Sequence, residues 1–225
     1  MKKIYYFILI VIIITSFAAG AVVRSTFESL AAMEEPLEGI LVAQLEETLL
    51  EGQKNIATGE DLVNESSYIL AVECTGDLNF YYKSTTQPVR VINVFKGDDI
   101  QPGEEIEIVR SNAIYFKTLD GGEYNSINIG FTNEMNVGEY YLIFIGDKIN
   151  NSDNIYGQIG FVIAHIYSYS EHYNTVAELR EDDTTYVLYD DVKDNEFFLM
   201  EESENETITY IKEYLFDKYP LSIDE

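Results

Sequence analysis

Residues Gln87 to Arg110, QPVRVINVFKGDDIQPGEEIEIVR, constrain the fold more than any other stretch of the chain. Val89 to Phe95 is rich in β-branched and aromatic side chains, as a strand buried on much of both faces would be. Lys96-Gly97-Asp98-Asp99 breaks that run, and Gln101-Pro102-Gly103 supplies a second turn signal. Glu105-Ile106-Glu107-Ile108 then alternates strictly, which predicts isoleucines facing inward and glutamates outward. The expectation is a pair of antiparallel neighbours.

Further strand signals lie on either side. Tyr68 to Cys74 (YILAVEC) and Tyr140 to Ile145 (YYLIFI) are the clearest, and Asn79 to Ser84 reads as a strand start or a loop. Tyr156 to Tyr169 reads as one long strand, with Gly157 and Gly160 marking a bulge or bend. Thr184 to Tyr189 and Glu196 to Met200 read as short strands, while Ser111 to Asn136 has no clear pattern. With 18 Tyr, 12 Phe and no Trp, the aromatic content suits pleated, half-buried surfaces.

Met1-Lys2-Lys3 precedes Ile4 to Val23, a run without a charged side chain. One reading is a transmembrane anchor through residues 4–23, about long enough to span a bilayer. The other is a signal peptide removed at the small-x-small site Ala19-Gly20-Ala21. With both lysines on the N-terminal side, either reading places the rest outside the cytoplasm, membrane-anchored or secreted. Ser25 to Leu50 reads as helix: Ser25 and Glu28 form a capping-box pattern, and Leu37, Ile40, Leu41, Leu45 and Leu49 fall at helical spacing. Such a stripe either packs on its own domain or forms a stalk or partner helix. Gly52 to Gly59 reads as linker, and Glu60 to Ser66 as a short helical turn. Near the C-terminus, Ser203-x-x-Glu206 opens a helix with Ile208, Ile211 and Leu215 on one face, ending near Tyr219 before Pro220. The expected organisation is residues 1–24 as anchor or signal, 25–60 as juxtamembrane helix and linker, 61–170 as the β domain, and 171–225 as an acidic extension.

The net charge of −26 argues against nucleic acid, whose binding depends on neutralising phosphates with Lys and Arg. It argues equally against docking on an anionic membrane through a basic patch. A single cysteine excludes an internal disulfide, so the core alone must hold the fold.

The order of these signals resembles certain exported bacterial domains similar to the tissue inhibitors of metalloproteinases and netrin-like modules. The residues that carry the resemblance are Phe95-Lys96-Gly97-Asp98, Gly103 with Ile106 and Ile108, and Gly138-Glu139-Tyr140-Tyr141-Leu142, within Asp61 to Phe161. It implies an OB-type Greek-key barrel; with the helices read on either side and the N-terminal transmembrane or signal helix, the expected fold is mainly β with flanking helices. The animal inhibitors place an N-terminal cysteine on the protease zinc; this chain has none there, and nothing of that site carries over. The matching positions are turn and core positions, which speak for fold rather than activity.

Candidate chemistry is sparse. Cys74 shares a strand face with Tyr68, Leu70 and Val72, which predicts a buried thiol; the chemical alternative pairs it with His165 or His172 as a nucleophile. His165 alternates with Phe161, Ile163, Tyr167 and Tyr169 and reads as a strand histidine rather than a ligand. For calcium, Asp147, Asn150 and Asp153 are the most loop-like oxygen ligands, without EF-hand spacing; a solvated acidic loop is the plain alternative. Tyr140, Tyr167 and Tyr169 offer a possible interaction surface, although cross-strand packing accounts for them equally well. No Gly-x-Ser-x-Gly motif, phosphate-binding glycine loop or dinucleotide fingerprint occurs, so no cofactor and no catalytic residue is assigned. The expected function is a non-enzymatic binding module at the cell envelope, its partner an envelope protein or cell-wall ligand. The alternatives are a carboxylate-dependent hydrolase and a structural component using the helix of residues 25–50.

Overall fold

The computed structural model describes residues 12–18, 20, 37–44, 47–81, 84–111, 113–119, 122–149, 154–158, 165–177 and 186–223. The chain divides into two compact units, Met1–Pro36 and Leu37–Glu225. Of the first, residues 12–18 are helical, and most of the uncharged run 4–23 lies outside the described residues. Among the described residues no helix is long and apolar enough to cross a membrane.

The second unit is mostly β with a few helices. Its strands are β1 (Leu41–Ala43), β2 (Tyr68–Cys74), β3 (Asn79–Tyr81), β4 (Ser84–Lys96), β5 (Glu105–Ser111), β6 (Ala113–Leu119), β7 (Gly122–Asn128), β8 (Tyr140–Lys148), β9 (Ile155–Gln158), β10 (Ile166–Ser168) and β11 (Tyr186–Leu188). Its helices are α1 (Glu47–Thr58), α2 (Asp61–Glu65), α3 (Tyr189–Val192) and α4 (Glu204–Lys218).

β2, β4, β5, β9 and β8 form a ring of pairings. β4 runs antiparallel to both β2 and β5, with Val89 opposite Ile106; β5 runs parallel to β9; β9 and β2 each run antiparallel to β8. Because side chains alternate along each strand, one set points into the ring. Leu70, Val72 and Cys74 meet Val89, Val91, Ile106, Ile108, Ile143 and Tyr156 there. The opposite set from β2 and β8, including Ile69, Leu142 and Phe144, packs under the helices against Ile208, Ile211 and Leu215. β2 is therefore apolar on both faces because it has a core on each side.

Three positions of the turn Phe95-Lys96-Gly97-Asp98 have a local reason. Phe95 packs on Tyr219, their ring centres 5.3 Å apart. Lys96 Nζ donates to the carbonyls of Val63 and Ser66, satisfying the end of α2. Gly97 has φ +116°, and a Cβ there would run into the Tyr68 ring.

Several expectations are corrected. Residues 41–43 are not helix: β1 sits between β11 and β7 in a second, four-stranded sheet, order β11-β1-β7-β6. Leu41 and Val42 are fully buried, so this short apolar run suits a central strand rather than one helical face. Leu41 cannot then be the exposed contact of a stalk. Residues 25–36 of that expected helix lie outside the described residues. The expected linker at Gly52 to Gly59 is instead most of α1, because Leu50 and Ala57 pack against α4 and nothing crowds Gly52. The unpatterned span 111–136 contains the β6–β7 hairpin, which pairs from Ala113 with Asn128 to Leu119 with Gly122. The single strand expected at Tyr156 to Tyr169 is two, β9 and β10, sharing one edge of β8; residues 159–164 lie outside the described ones. Glu196 to Met200 makes isolated bridges, at Phe197 with Thr132 and at Leu199, and no strand. At α4, Ser203 forms no side-chain cap; Glu204 Oε2 accepts the Met200 and Glu201 N–H groups in its place.

Candidate functional site

β8 and β10 lie side by side, Tyr141 opposite Ser168 and Leu142 opposite Tyr167. Near this pair the chain gathers its polar side chains: Glu139 just before β8, Ser168 closing β10, His172 beyond it, then Glu196 and Lys212 from the C-terminal region. Glu139 Oε2 accepts the Tyr141 hydroxyl at 3.1 Å and the Ser168 hydroxyl at 3.3 Å, and lies 3.1 Å from His172 Nε2. His172 Nε2 is also 3.2 Å from Ser168 Oγ.

Serine, histidine and a carboxylate within reach of one another invite comparison with a catalytic triad, and the geometry argues against one. A triad needs the serine on one imidazole nitrogen and the acid on the other, so that the acid orients the base. Here both use Nε2. Ser168 Oγ in addition accepts the Ser170 N–H at 3.1 Å, and Ser168 is fully buried. The pocket beside the cluster, lined by Glu134, Asn136, Tyr141, His172 and Glu196 among others, admits little more than one water.

Beneath this cluster Glu196 acts as a clamp. Its Oε1 accepts the Ser168 N–H at 2.6 Å and its Oε2 accepts Lys212 Nζ at 2.6 Å. Burial pushes its pKa up, while Lys212 beside it pulls the other way. Asparagines extend the clamp: Asn174 Oδ1 accepts the N–H groups of Glu196 and Phe197, and Asn133 Nδ2 donates to the carbonyls of Lys193 and Asn195. Arg110, fully buried, donates through Nη1 to the carbonyls of Thr132 and Asn133; desolvation lowers its pKa to about 10. These groups satisfy backbone where no ladder exists.

The residues singled out from sequence lie elsewhere. Cys74 is in the ring core, in contact with Gly76, Met135 and Gln87 rather than with either histidine. Burial raises its thiol pKa to about 11, so little thiolate forms near neutrality. His165 is buried, its Nδ1 2.9 Å from Gln53 Nε2, and desolvation lowers its pKa to about 4. Asp147 accepts the Ser67 hydroxyl at 2.6 Å; Asn150 and Asp153 lie outside the described residues. Among the described residues no group of three or more His, Cys, Asp or Glu is placed to hold a metal ion. Tyr140, Tyr167 and Tyr169 do not share an exposed face. Tyr167 is fully buried, Tyr169 donates its hydroxyl to the Tyr219 carbonyl and stacks on Phe216, and Tyr140 is half-buried.

No model of a known protein family matches this chain, and a search of the curated proteins finds no match.

Of the clustered residues, only His172 stands out in the sequence as a chemical candidate; Glu139 and Glu196 enter there only as parts of turn and strand patterns. Glu139, Ser168, Glu196 and Lys212 carry no spacing signal, since their pairings cross from one element to another.

Proposed function

We propose that this protein is a non-enzymatic binding module displayed outside the cytoplasm at the cell envelope, built on an OB-type Greek-key barrel. Order and direction support the barrel. Numbered within the ring, the first strand pairs with the second, the second with the third, the third in parallel with the fifth, the fifth with the fourth, and the fourth with the first. The resemblance to tissue-inhibitor and netrin-like domains is supported at its turn positions, where Gly97, Gly103 and Gly138 all have positive φ. Export is supported by Lys2-Lys3 ahead of the uncharged run to Val23.

The observation that carries the binding reading is the edge of β6. Along its full length β6 pairs with β7, and among the described residues no strand lies along its other edge. Natural edges are usually blunted by short length, proline, bulges or charges, lysine above all, and of these β6 has a single lysine. This one, AIYFKTL, is seven residues long, pairs without a bulge and carries Lys117 as its one charge. Such an edge is a template for an extended segment of another envelope protein added as a further strand.

The test is a photo-crosslinking amino acid at Lys117, with Glu107 of β5 as the control, in intact cells. One discrete adduct from 117 and none from 107 supports strand addition. Equal labelling from both positions removes it. If the purified chain cleaved a cell-wall glycan or peptide, and Glu139→Gln did not, the hydrolase would replace the binding module.

A further inference from the structure

The outer side of α4 is aromatic and acidic at once. Ile208, Ile211 and Leu215 face the core, and a turn of 3.6 residues puts Tyr210 and Tyr214 together on the far side. Tyr210 is 51% exposed and Tyr214 37%. Glu206 precedes Tyr210 by one turn, Glu213 follows it, and Asp217 follows Tyr214; all three carboxylates are exposed. α1 packs alongside, and its Lys54 shows what this surface holds. The Lys54 ammonium stands 5.4 Å from the centre of the Tyr210 ring and 3.8 Å from the Glu51 carboxylate. A cation over a ring face and near a carboxylate is attracted by both the ring quadrupole and the charge.

We propose that this face of α4, with the Lys54 side of α1, docks a lysine- or arginine-rich segment of a partner protein. Charge selects that occupant. The chain carries −26, and several of its described cations are spent internally: Lys96 and Arg110 on backbone carbonyls, Lys212 on Glu196. A second copy would bring the same carboxylates to the same rings. On this surface the carboxylates of Glu51, Glu206, Glu213 and Asp217 outnumber Lys54 and Lys218; a basic segment redresses that balance, and its ammonium or guanidinium groups take the position over Tyr214 that Lys54 takes over Tyr210. The proposal does not depend on the β6 edge.

The probe is fluorescent octa-arginine, its binding to the purified chain followed by anisotropy at two salt concentrations. Tyr210→Ser with Tyr214→Ser leaves the net charge unchanged and should weaken binding about 2- to 5-fold, the worth of the one exposed cation–π contact that Tyr214 offers the segment while Lys54 stands over Tyr210. Tyr210→Phe with Tyr214→Phe should keep it. Glu206→Gln with Glu213→Gln should weaken binding more than Glu105→Gln with Glu107→Gln, which removes the same charge from β5. Lys54→Met, which removes the resident cation, should tighten it. A loss of less than twofold in the serine variant overturns the proposal, as do equal losses from the two glutamate pairs or dimerisation through this face without peptide. Both tyrosines are exposed, so an unchanged melting temperature verifies the fold; should the serine variant not fold, the two glutamate pairs decide.

Discussion

Replacing Gly97 by alanine tests the physical reading of the first turn of the ring. The residue has φ +116°, a region that L side chains rarely adopt, and holding alanine there costs about 1–3 kcal/mol of backbone strain. The added Cβ would also overlap Cδ1 of the Tyr68 ring and lie 2.8 Å from its Cε1. That ring is not free to swing away. Its hydroxyl donates to Asp99 Oδ1 at 2.7 Å, and its edge packs on Tyr156 with centroids 5.1 Å apart. Overpacking of this kind costs about 1–3 kcal/mol more. Gly97→Ala should therefore destabilise the protein by about 2–6 kcal/mol, read as a lower urea midpoint at unchanged slope. Combining Gly97→Ala with Tyr68→Ala separates the two causes. Without the ring the steric part vanishes, so the double variant should be about 1–3 kcal/mol more stable than additivity predicts. A Gly97→Ala cost below about 1 kcal/mol, or strict additivity, would refute the reasoning.

Lys212→Met leaves Glu196 buried without its partner and should cost about 3–5 kcal/mol in urea denaturation near neutral pH; adding Glu196→Gln should recover part of the loss. His165 is held neutral by burial, its folded pKa about 4 against an ordinary 6.5, so its contribution is complete above about 6.5 and lost as the pH falls towards 4. Stability of wild type relative to His165→Gln should accordingly drop by about 3 kcal/mol between pH 7 and 4; a flat difference would mean that the imidazole stays solvated. Ile108→Ala, at a ring position 1% exposed, should cost about 2–5 kcal/mol, whereas Glu107→Ala on the outward face should change stability by less than about 0.5 kcal/mol; chemical denaturation of the pair reads both.

What was legible in the chain was local. Val89 to Phe95, the alternation of Glu105 to Ile108, the YILAVEC and YYLIFI runs and the α4 stripe all appear where the pattern put them, because a two- or 3.6-residue period records which side faces a core. The glycine breaks at Gly97 and Gly103 were equally readable, since positive φ favours one residue type. Misreadings came where a short segment satisfies two patterns at once. Leucines at 37, 41, 45 and 49 fit a helix, yet Leu41 to Ala43 gains more as a strand between β7 and β11 than as one turn of an exposed helix. Gly52 marked a linker on propensity alone, and the tertiary contacts of Leu50 and Ala57 overrode it.

The sequence alone determined four strands of the ring (β2, β4, β5 and β8), the inward faces of β2 and β5 and the acidity of the surface, because these follow from neighbouring residues and from counting charge. Which strands close the ring, the pairing of β1 between β7 and β11, and the meeting of Glu139, Ser168, His172, Glu196 and Lys212 were decided only by the tertiary structure. Those pairings join segments far apart in the chain, and a polar side chain there answers to the backbone groups it happens to meet, for which no local spacing exists.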